Sequence, residues 1–330
     1  MSTTPNDDAT DFLDFLDGDA KFSRSHYVRA GGADVKFTGA VLRAREELGE
    51  MDDESEGMHR RFTDRFGFIP TSVLRMDKHP DHMALINDDA DRKGLREAKF
   101  SGYATKLKLS IYNPTQARLL LDYYMPPQAH VLDPFMGRGT RPVMTYDLGM
   151  TYTGFDTCSE TIQRNRDLLT RANGGVFPEG FTLHHGDGTA LAPYAGQENV
   201  FDGVFSCPPY YDTEVYSGED GDLSHMSDAD FDDHIRAMFR HLHRLVKPSG
   251  RYRPDIHPVV MTVGTARRGE GGLIDMDFVF QTFAKEAGFV LQDKIIHELR
   301  PPGKGFTFRR NWASGYVTKG HETTLVWVKR

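Results

Sequence analysis

The stretch Val131-Leu-Asp-Pro-Phe-Met-Gly-Arg-Gly-Thr140 decides the class of fold. The apolar residues at its start predict a short buried strand, and its two glycines predict a turn that opens a helix in RPVMTYDLG, residues 141–149. Glycines at such a turn let the backbone approach a ligand closely, and open α/β sheets bind small molecules at this edge. Residues 131–140 therefore predict a strand, a ligand loop and the start of a helix.

The same alternation of short apolar strands and helices continues on both sides of this stretch. Helices are predicted over residues 116–125, 159–173 and 231–246. Strands are predicted at residues 151–156, 181–187, 200–206, 258–264 and 323–329. This order predicts an α/β fold with a doubly wound, mostly parallel sheet and helices on both of its faces.

Composition changes along the chain and predicts three regions. Residues 1–60 are acidic and low in β-branched residues, which predicts an accessory arm that is partly disordered. Residues 61–105 predict an N-terminal extension of loops and short elements, and residues 106–330 the main domain. The net charge is -8, but basic residues concentrate toward residue 330 and offer phosphate contacts. A solvated basic surface is the alternative interpretation.

The composition also excludes several classes of protein. The two cysteines, Cys158 and Cys207, are too few for a disulfide framework or a Cys-rich zinc site, and the 14 histidines form no metal-binding motif. We therefore predict no metal. No apolar run approaches the roughly 20 residues of a membrane helix, and the acidic start lacks the order of a secretory signal. We predict a cytoplasmic protein without a membrane partner.

Acidic residues follow the second and third predicted strands of the main domain. Asp156 ends the sequence GFD (154–156), and Asp187 is the centre of GDG (186–188). A carboxylate after the second strand can accept hydrogen bonds from both ribose hydroxyls, and one near the third strand can bind an adenine amino group. Both G-x-x-x-x-G-K-[ST] and G-x-G-x-x-G are missing, so the pattern predicts a nucleoside site without a phosphate clamp. For either aspartate alone, a helix N-cap is the alternative.

A second motif, Cys207-Pro-Pro-Tyr210, ends the fourth strand of the main domain. Two prolines stiffen this turn and remove its amide hydrogens, so that carbonyl oxygens can point at a ligand while Tyr210 offers a flat face. A generic proline turn is the alternative interpretation.

Together the two motifs resemble the amino-group DNA methyltransferases, whose hallmarks are a D-P-F-x-G-x-G-T cofactor loop and a [DNS]-P-P-[YFW] catalytic tetrad. Residues 133–140 match the first motif throughout, and residues 207–210 match the second at three of four positions. The strings FGFIPTSVL (66–74), FSCPPYYDTEVYS (205–217) and GYVTKGHETTLVWVKR (315–330) look like DNA methylases of bacteriophages. The resemblance spans residues 66–330. It implies a Rossmann-like class I methyltransferase fold, S-adenosylmethionine as cofactor, DNA as partner and, for a phage protein, a bacterial host cell.

The resemblance also assigns roles to residues. It implies a cofactor site made of Asp133, Pro134, Phe135, Gly137, Gly139, Thr140, Asp156 and Asp187, and a catalytic tetrad made of Cys207, Pro208, Pro209 and Tyr210. The motif order resembles the α or γ arrangement, with residues 106–121 packing over the methionine part of the cofactor. The target base would flip out of the duplex and stack on Tyr210. Its amino group would donate hydrogen bonds to the Pro208 carbonyl and to the side chain of residue 207.

Cys207 departs from the family pattern, because a thiol is a weaker acceptor than the Asp, Asn or Ser side chains found there. Ser206 or the backbone is expected to compensate. In size Cys resembles Ser, the form associated with cytosine-N4 enzymes, which favours cytosine over adenine. Covalent attack by Cys207 on cytosine C5 is an alternative, although that class places Pro before Cys.

Recognition of a DNA sequence must come from other segments, and residues 211–232 and 264–316 are the candidates. The second segment interleaves cations with aromatic residues such as Phe306 and Phe308, a composition suited to phosphates and unstacked bases. The candidate DNA-binding residues are Arg267, Arg268, Lys304, Arg309, Arg310 and Trp312. A cationic loop without this role is the alternative.

Three alternative functions remain open at this level. Related tetrads also serve RNA amines and protein glutamine, so RNA or a protein amide is an alternative substrate. A DNA-binding or regulatory protein with weak or no activity that keeps the cofactor site is a second alternative, motivated by Cys207. The sequence also leaves open whether the transferred group is methyl or larger.

Overall fold

The computed structural model describes residues 27–30, 33–36, 72–75, 112–211, 222–251, 255–267, 272–298, 315–317 and 319–330. The chain divides into two compact units, Met1–Arg61 and Phe62–Arg330. In the first unit, strand β1 (Tyr27–Ala30) pairs antiparallel with strand β2 (Ala33–Lys36). These two strands were not predicted from the sequence, although the intervening Gly-Gly pair is favoured in two-residue hairpin loops.

The second unit contains the predicted alternation of strands and helices. Its described helices are α1 (Pro114–Tyr124), α2 (Thr140–Asp147), α3 (Ser159–Ala172), α4 (Asp228–Leu245) and α5 (Met276–Glu286), with short 3₁₀ turns at Ala192–Tyr194 and Leu223–His225. Its described strands are β3 (Val73–Arg75), β4 (His130–Asp133), β5 (Thr151–Asp156), β6 (Phe181–His185), β7 (Gly203–Ser206), β8 (Pro258–Val263), β9 (Ala266–Arg267), β10 (Leu273–Ile274), β11 (Val290–Glu298) and β12 (His321–Val328).

One eight-stranded sheet organises this unit, in the order β3-β11-β12-β8-β7-β4-β5-β6. Its pairs are parallel except those of β12, which runs antiparallel to both β8 and β11. From β4 the chain builds β5 and β6 on one side and then returns to build β7 and β8 on the other. The predicted α/β fold with a doubly wound, mostly parallel sheet is therefore confirmed, and its strand order reverses between β4 and β7.

Two hydrophobic cores cover the two faces of the sheet. Helices α1, α2 and α3 bury one face through residues such as Leu120, Val143 and Leu169. Helices α4 and α5 bury the other through residues such as Phe239 and Phe280. The strands in the middle are apolar on both sides: consecutive residues of β8 enter alternate cores. Such strands read as continuous apolar runs, as expected for a sheet covered on both faces.

Local signals fix where several helices begin. Asn113 Oδ1 accepts hydrogen bonds from Thr115 N and Gln116 N, at 3.0 and 3.3 Å, and Pro114 occupies the first turn of α1. Ser227 caps α4 in the same way through Asp230 N. In the ranges that the structure describes, no helix combines the length and apolar character needed to cross a bilayer.

Candidate functional site

The two sequence motifs lie side by side at the carboxyl edge of the sheet. Strands β4 and β7 are parallel neighbours, with Val131 opposite Gly203 and Leu132 opposite Val204. The glycine loop follows β4 and the Pro-Pro turn follows β7, so both leave the sheet at the point where the strand order reverses. Crevices at such reversals are where open α/β sheets bind ligands.

Asp133 connects the two loops from inside the protein. Its side chain is fully buried, and its Oδ1 accepts hydrogen bonds from Ser206 Oγ at 2.6 Å and Phe135 N at 3.1 Å. Its Oδ2 accepts from Arg141 Nε at 2.7 Å and Tyr152 OH at 2.9 Å. Both carboxylate oxygens are thus occupied by the protein. Asp133 shapes the loop from behind, and its predicted contact with a cofactor stays a prediction.

The glycine loop takes a conformation that only glycine adopts without strain. Gly137 and Gly139 have φ values of 57° and 78°. A Cβ on Gly139 would also overlap Leu168 of α3, so the missing side chain lets helix and loop pack closely. Asn165 Nδ2 donates to the Gly137 carbonyl at 2.7 Å and holds the loop against the same helix.

The remaining residues of this motif support the loop through packing and hydrogen bonds. Thr140 is buried, and its Oγ1 donates to the Tyr112 carbonyl at 3.0 Å, which ties the loop to the segment before α1. Phe135 packs partly buried against the second core. Pro134 is buried, and a Cβ on Gly188 would overlap its carbonyl group. Gly188 therefore brings the segment after β6 against the loop.

Asp156 and Asp187 are both partly exposed at this edge. Asp156 Oδ2 accepts from Gly137 N at 3.0 Å and its Oδ1 from Cys158 N at 2.9 Å. Burial raises the pKa of Asp156 to about 6, although these backbone hydrogen bonds oppose the rise. Among the described residues Asp187 is bonded through Oδ1, which accepts from the backbone and hydroxyl of Thr189 at 2.7 Å. Both carboxylates keep lone pairs for a ligand.

The Pro-Pro turn buries its prolines and leaves its two ends partly exposed. Pro208 and Pro209 are buried, whereas Cys207 and Tyr210 are intermediate. Cys207 Sγ lies 3.8 Å from Tyr210 OH, and burial raises the pKa of the thiol to about 11. Ser206 does not compensate for the thiol as expected, because its hydroxyl is buried and donates to Asp133.

Four residues near the two motifs were not identified from the sequence. The Tyr112 ring contacts Phe205 edge-on, and its hydroxyl is 2.6 Å from Thr262 Oγ1. Lys319 Nζ lies 5.6 Å from the centre of the Tyr210 ring and 3.3 Å from Glu322 Oε1. The sequence carries no local signal for these contacts, because they depend on how distant strands pair. Tyr112 lies within residues 106–121, the segment predicted to pack over the cofactor, and Arg141, the buried partner of Asp133, directly follows the predicted loop.

The predicted DNA-binding residues lie mostly outside the described ranges. Arg267 belongs to β9, of which the backbone alone is described, and Arg268, Lys304, Arg309, Arg310 and Trp312 fall outside. The same holds for residues 212–221 of the first recognition segment and for residues 106–111 of the segment upstream of the loop. Their roles stay predictions.

The chain is similar to solved structures at low identity. These include a TehB-like SAM-dependent methyltransferase from Corynebacterium glutamicum, with 17% identity, a TM-score of 0.41, and coverage of 76% of this chain and 100% of that one. A putative sarcosine dimethylglycine methyltransferase from Galdieria sulphuraria has 14% identity and a TM-score of 0.40, and the match covers 83% of this chain and 98% of that one. A putative rRNA-methylase from Clostridium thermocellum has 15% identity and a TM-score of 0.41, and the match covers 67% of this chain and 100% of that one. No protein-family model and no curated protein matches the chain. Likeness at this level does not assign a function.

Proposed function

We propose that this protein transfers a methyl group from S-adenosylmethionine to an exocyclic amine of a DNA base, with cytosine N4 favoured over adenine N6. One observation carries the proposal. The D-P-F-M-G-R-G-T loop and the Cys-Pro-Pro-Tyr turn follow neighbouring parallel strands. Asp133, the first residue of the loop, accepts a hydrogen bond from Ser206, the residue before the turn. A cofactor on the loop and an amine at the turn would meet at one edge of the sheet.

The residues at this edge fit S-adenosylmethionine. Gly186 N donates to the Asp156 carbonyl at 2.9 Å, and a Cβ on Gly186 would meet no atom within 4 Å, so the edge beside Asp156 is open. Asp156 would accept hydrogen bonds from the ribose hydroxyls, and Asp187 from the adenine amino group. The backbone at Gly137 and Gly139 would lie against the methionine part. This set of groups suits a nucleoside with a small polar tail and lacks a phosphate clamp.

When bound, S-adenosylmethionine supplies an electrophilic methyl group on a sulfonium sulfur. The protein's contribution is to hold an amine in line with that methyl, which is mainly a matter of proximity and orientation. Tyr210 would stack on a base flipped out of the duplex. The Pro208 carbonyl would accept a hydrogen bond from the amine. Pro208 and Pro209 have no amide hydrogens that could compete for this oxygen.

The first experiment incubates the protein with methyl-labelled S-adenosylmethionine and, in parallel, unmodified DNA and RNA, and then identifies labelled nucleosides by mass spectrometry. Label in N4-methylcytosine or N6-methyladenine supports the proposal and identifies the base. Label in RNA alone would redirect it to an RNA amine. Cofactor binding without label in either would contradict it and favour the regulatory alternative.

Two variants make this experiment specific to the turn. Tyr210→Ala is expected to lower kcat/KM by about 5- to 140-fold, because stacking on one base is worth about 1–3 kcal/mol. Tyr211→Phe is the matched control. Tyr211 stacks on Phe231 inside the protein, with ring centres 4.1 Å apart, and the substitution removes only its hydroxyl. Equal losses in both variants would contradict the assigned role of Tyr210.

A further inference from the structure

The Pro-Pro turn lacks a strong hydrogen-bond acceptor at its first residue. Cys207 is a thiol, and because burial raises its pKa to about 11 it stays protonated near neutral pH. The neighbouring Ser206 hydroxyl is turned inward to Asp133 at 2.6 Å. An amine held at this turn can donate a hydrogen bond to the Pro208 carbonyl. Residues 206 and 207 offer it no carboxylate, amide or hydroxyl as an acceptor.

An ion pair lies beside this turn and was not part of either motif. Lys319 Nζ is 5.6 Å from the centre of the Tyr210 ring and 3.3 Å from Glu322 Oε1. Both side chains are partly exposed, at 32% and 29%. Gly264 makes the arrangement possible, because a Cβ there would overlap Lys319 Nζ and would lie 3.5 Å from Tyr210 Cε2. Lys319 thus lies over the ring of Tyr210, and Glu322 is its ion-pair partner.

The strand pairing explains why Glu322 reaches this place. Thr323 of β12 pairs with Val263, the last residue of β8, so that Glu322 lies where β8 ends. Strand β8 is the parallel neighbour of β7, which carries the turn. Glu322 also lines a cavity of about 210 Å³ at this edge, together with Gly264. Gly264, which follows β8, thus borders the cavity and also lies beside the Tyr210 ring.

The chemistry of the pair matches the edge of an amino base. Cytosine presents its N4 amino group beside the ring acceptor N3, and adenine presents N6 beside N1. Flipped bases are read by hydrogen bonds to this edge. A carboxylate accepts from an N–H, and an ammonium group donates to a ring nitrogen. Glu322 and Lys319 offer one acceptor and one donor side by side.

We propose that Glu322 and Lys319 supply the polar contacts to the base that Cys207, at the first position of the turn, does not provide. Glu322 accepts a hydrogen bond from the amino group of the flipped base, and Lys319 donates to the adjacent ring nitrogen. The inference rests on the proposed function, because it requires a base with an amino group as substrate. It names the edge by which that base is recognised.

The proton balance of the reaction gives Glu322 a second role. The amine nitrogen attacks the methyl carbon, whose bond to sulfur breaks with its electron pair remaining on sulfur. The methylated nitrogen then carries a positive charge and one proton too many. Glu322 accepts this proton and later releases it to water. General-base contributions of this kind are commonly about 100- to 10,000-fold.

The test compares Glu322→Gln, Glu322→Asp and Lys319→Met with the native protein on a methylated-product assay. Asp277→Asn is the matched control, since Asp277 lines the same cavity but pairs with Lys294 at 2.6 Å. Glu322→Gln is expected to lower kcat about 100-fold with KM for DNA and Kd for S-adenosylmethionine within about threefold. Glu322→Asp, which keeps a carboxylate, should recover at least about tenfold of that loss, and Asp277→Asn should stay within about twofold of the native rate.

A modified substrate separates recognition from a structural effect of Lys319. Lys319→Met is expected to lower kcat/KM about tenfold on the natural base, and to cause no further loss on the 3-deazacytosine or 1-deazaadenine analogue, which lacks the ring acceptor. Equal losses on both substrates, or Glu322→Gln behaving like Asp277→Asn, would overturn the inference. If the native protein labels neither DNA nor RNA, the proposed function fails first, and this outcome is distinct from an active enzyme that is indifferent to position 322.

Discussion

Ser206 Oγ donates a hydrogen bond to Asp133 Oδ1 over 2.6 Å, so the residue before the Pro-Pro turn is bonded to the residue that begins the glycine loop. Asp133 in turn pairs with Arg141, which is itself buried. Arg141 donates to the carbonyl groups of Phe135 and Met136 within the loop. One carboxylate therefore couples the geometry of both motifs.

Asp133→Asn is expected to destabilise the protein by about 3–5 kcal/mol, because it leaves the buried guanidinium of Arg141 without a charge partner. Urea unfolding measures the change. Asp147→Asn is the control, since Asp147 pairs with Arg118 but is 39% exposed, and surface pairs contribute about 0–1 kcal/mol. Similar losses in the two variants would contradict the assigned role of the buried pair.

The raised pKa of Asp156 predicts that cofactor binding depends on pH. Burial raises its pKa to about 6, above the ordinary value of 3.8, so the stability that this group contributes is present below 3.8 and lost as pH rises through about 6. The ionised form accepts the stronger hydrogen bonds from hydroxyls. Affinity for S-adenosylmethionine should therefore fall about tenfold from pH 7 to pH 5.

Isothermal titration calorimetry across this range checks the Asp156 prediction. Asp156→Asn should bind more weakly and should lose most of the pH dependence, because the amide does not titrate. Asp187→Asn serves as the comparison and should retain the dependence. A native profile that is flat between pH 5 and pH 7 would show that Asp156 does not contact the cofactor.

The Cys207 thiol is expected to react slowly with iodoacetamide near neutral pH. With a pKa of about 11, the thiolate fraction at pH 8 is about 0.1%, and the alkylation rate should rise about tenfold for each pH unit up to pH 10. Mass spectrometry of the peptide that contains residue 207 measures this rate, with Cys158 followed in the same sample. Rapid alkylation at pH 7 would contradict the raised pKa of the Cys207 thiol.

Gly188→Ala should disturb the glycine loop, because a Cβ at this position would overlap the backbone carbonyl of Pro134. We expect a loss of about 1–3 kcal/mol in the free energy of unfolding, as for other overpacked sites, together with weaker binding of S-adenosylmethionine. Gly272→Ala is the control, since a Cβ there meets no atom within 4 Å. Thermal unfolding with and without the cofactor distinguishes the two variants.

Periodicity and turn residues predicted most of the sheet and the helices around it. The strands β4, β7 and β8 are apolar on both faces and lie beside glycine or proline, so their positions follow from local sequence. The placement of β12 between β8 and β11 could not be predicted in this way, because pairing partners depend on tertiary packing rather than on local pattern.

The candidate site was predicted in part for the same reason. The loop at residues 133–140 and the turn at residues 207–210 are contiguous motifs, and their adjacency follows from parallel neighbouring strands. The side chain of Asp133 points inward because it is bonded to Arg141, Tyr152 and Ser206. No single motif contains these three residues. Lys319 lies over Tyr210 because β12, which begins two residues later, pairs with β8.

The position of β12 has a consequence for how the protein folds. Strands β8 and β11 both precede β12 in the chain, but each pairs with β12 and not with the other. The contacts that join β11 and β3 to the rest of the sheet must wait until β12 is inserted, and such non-local pairing slows folding. We expect an early stage in which β4 to β8 assemble with their helices, followed by a slower stage that adds β12, β11 and β3. The ion pair at Lys319 and Glu322 would then be among the last features of the protein to form.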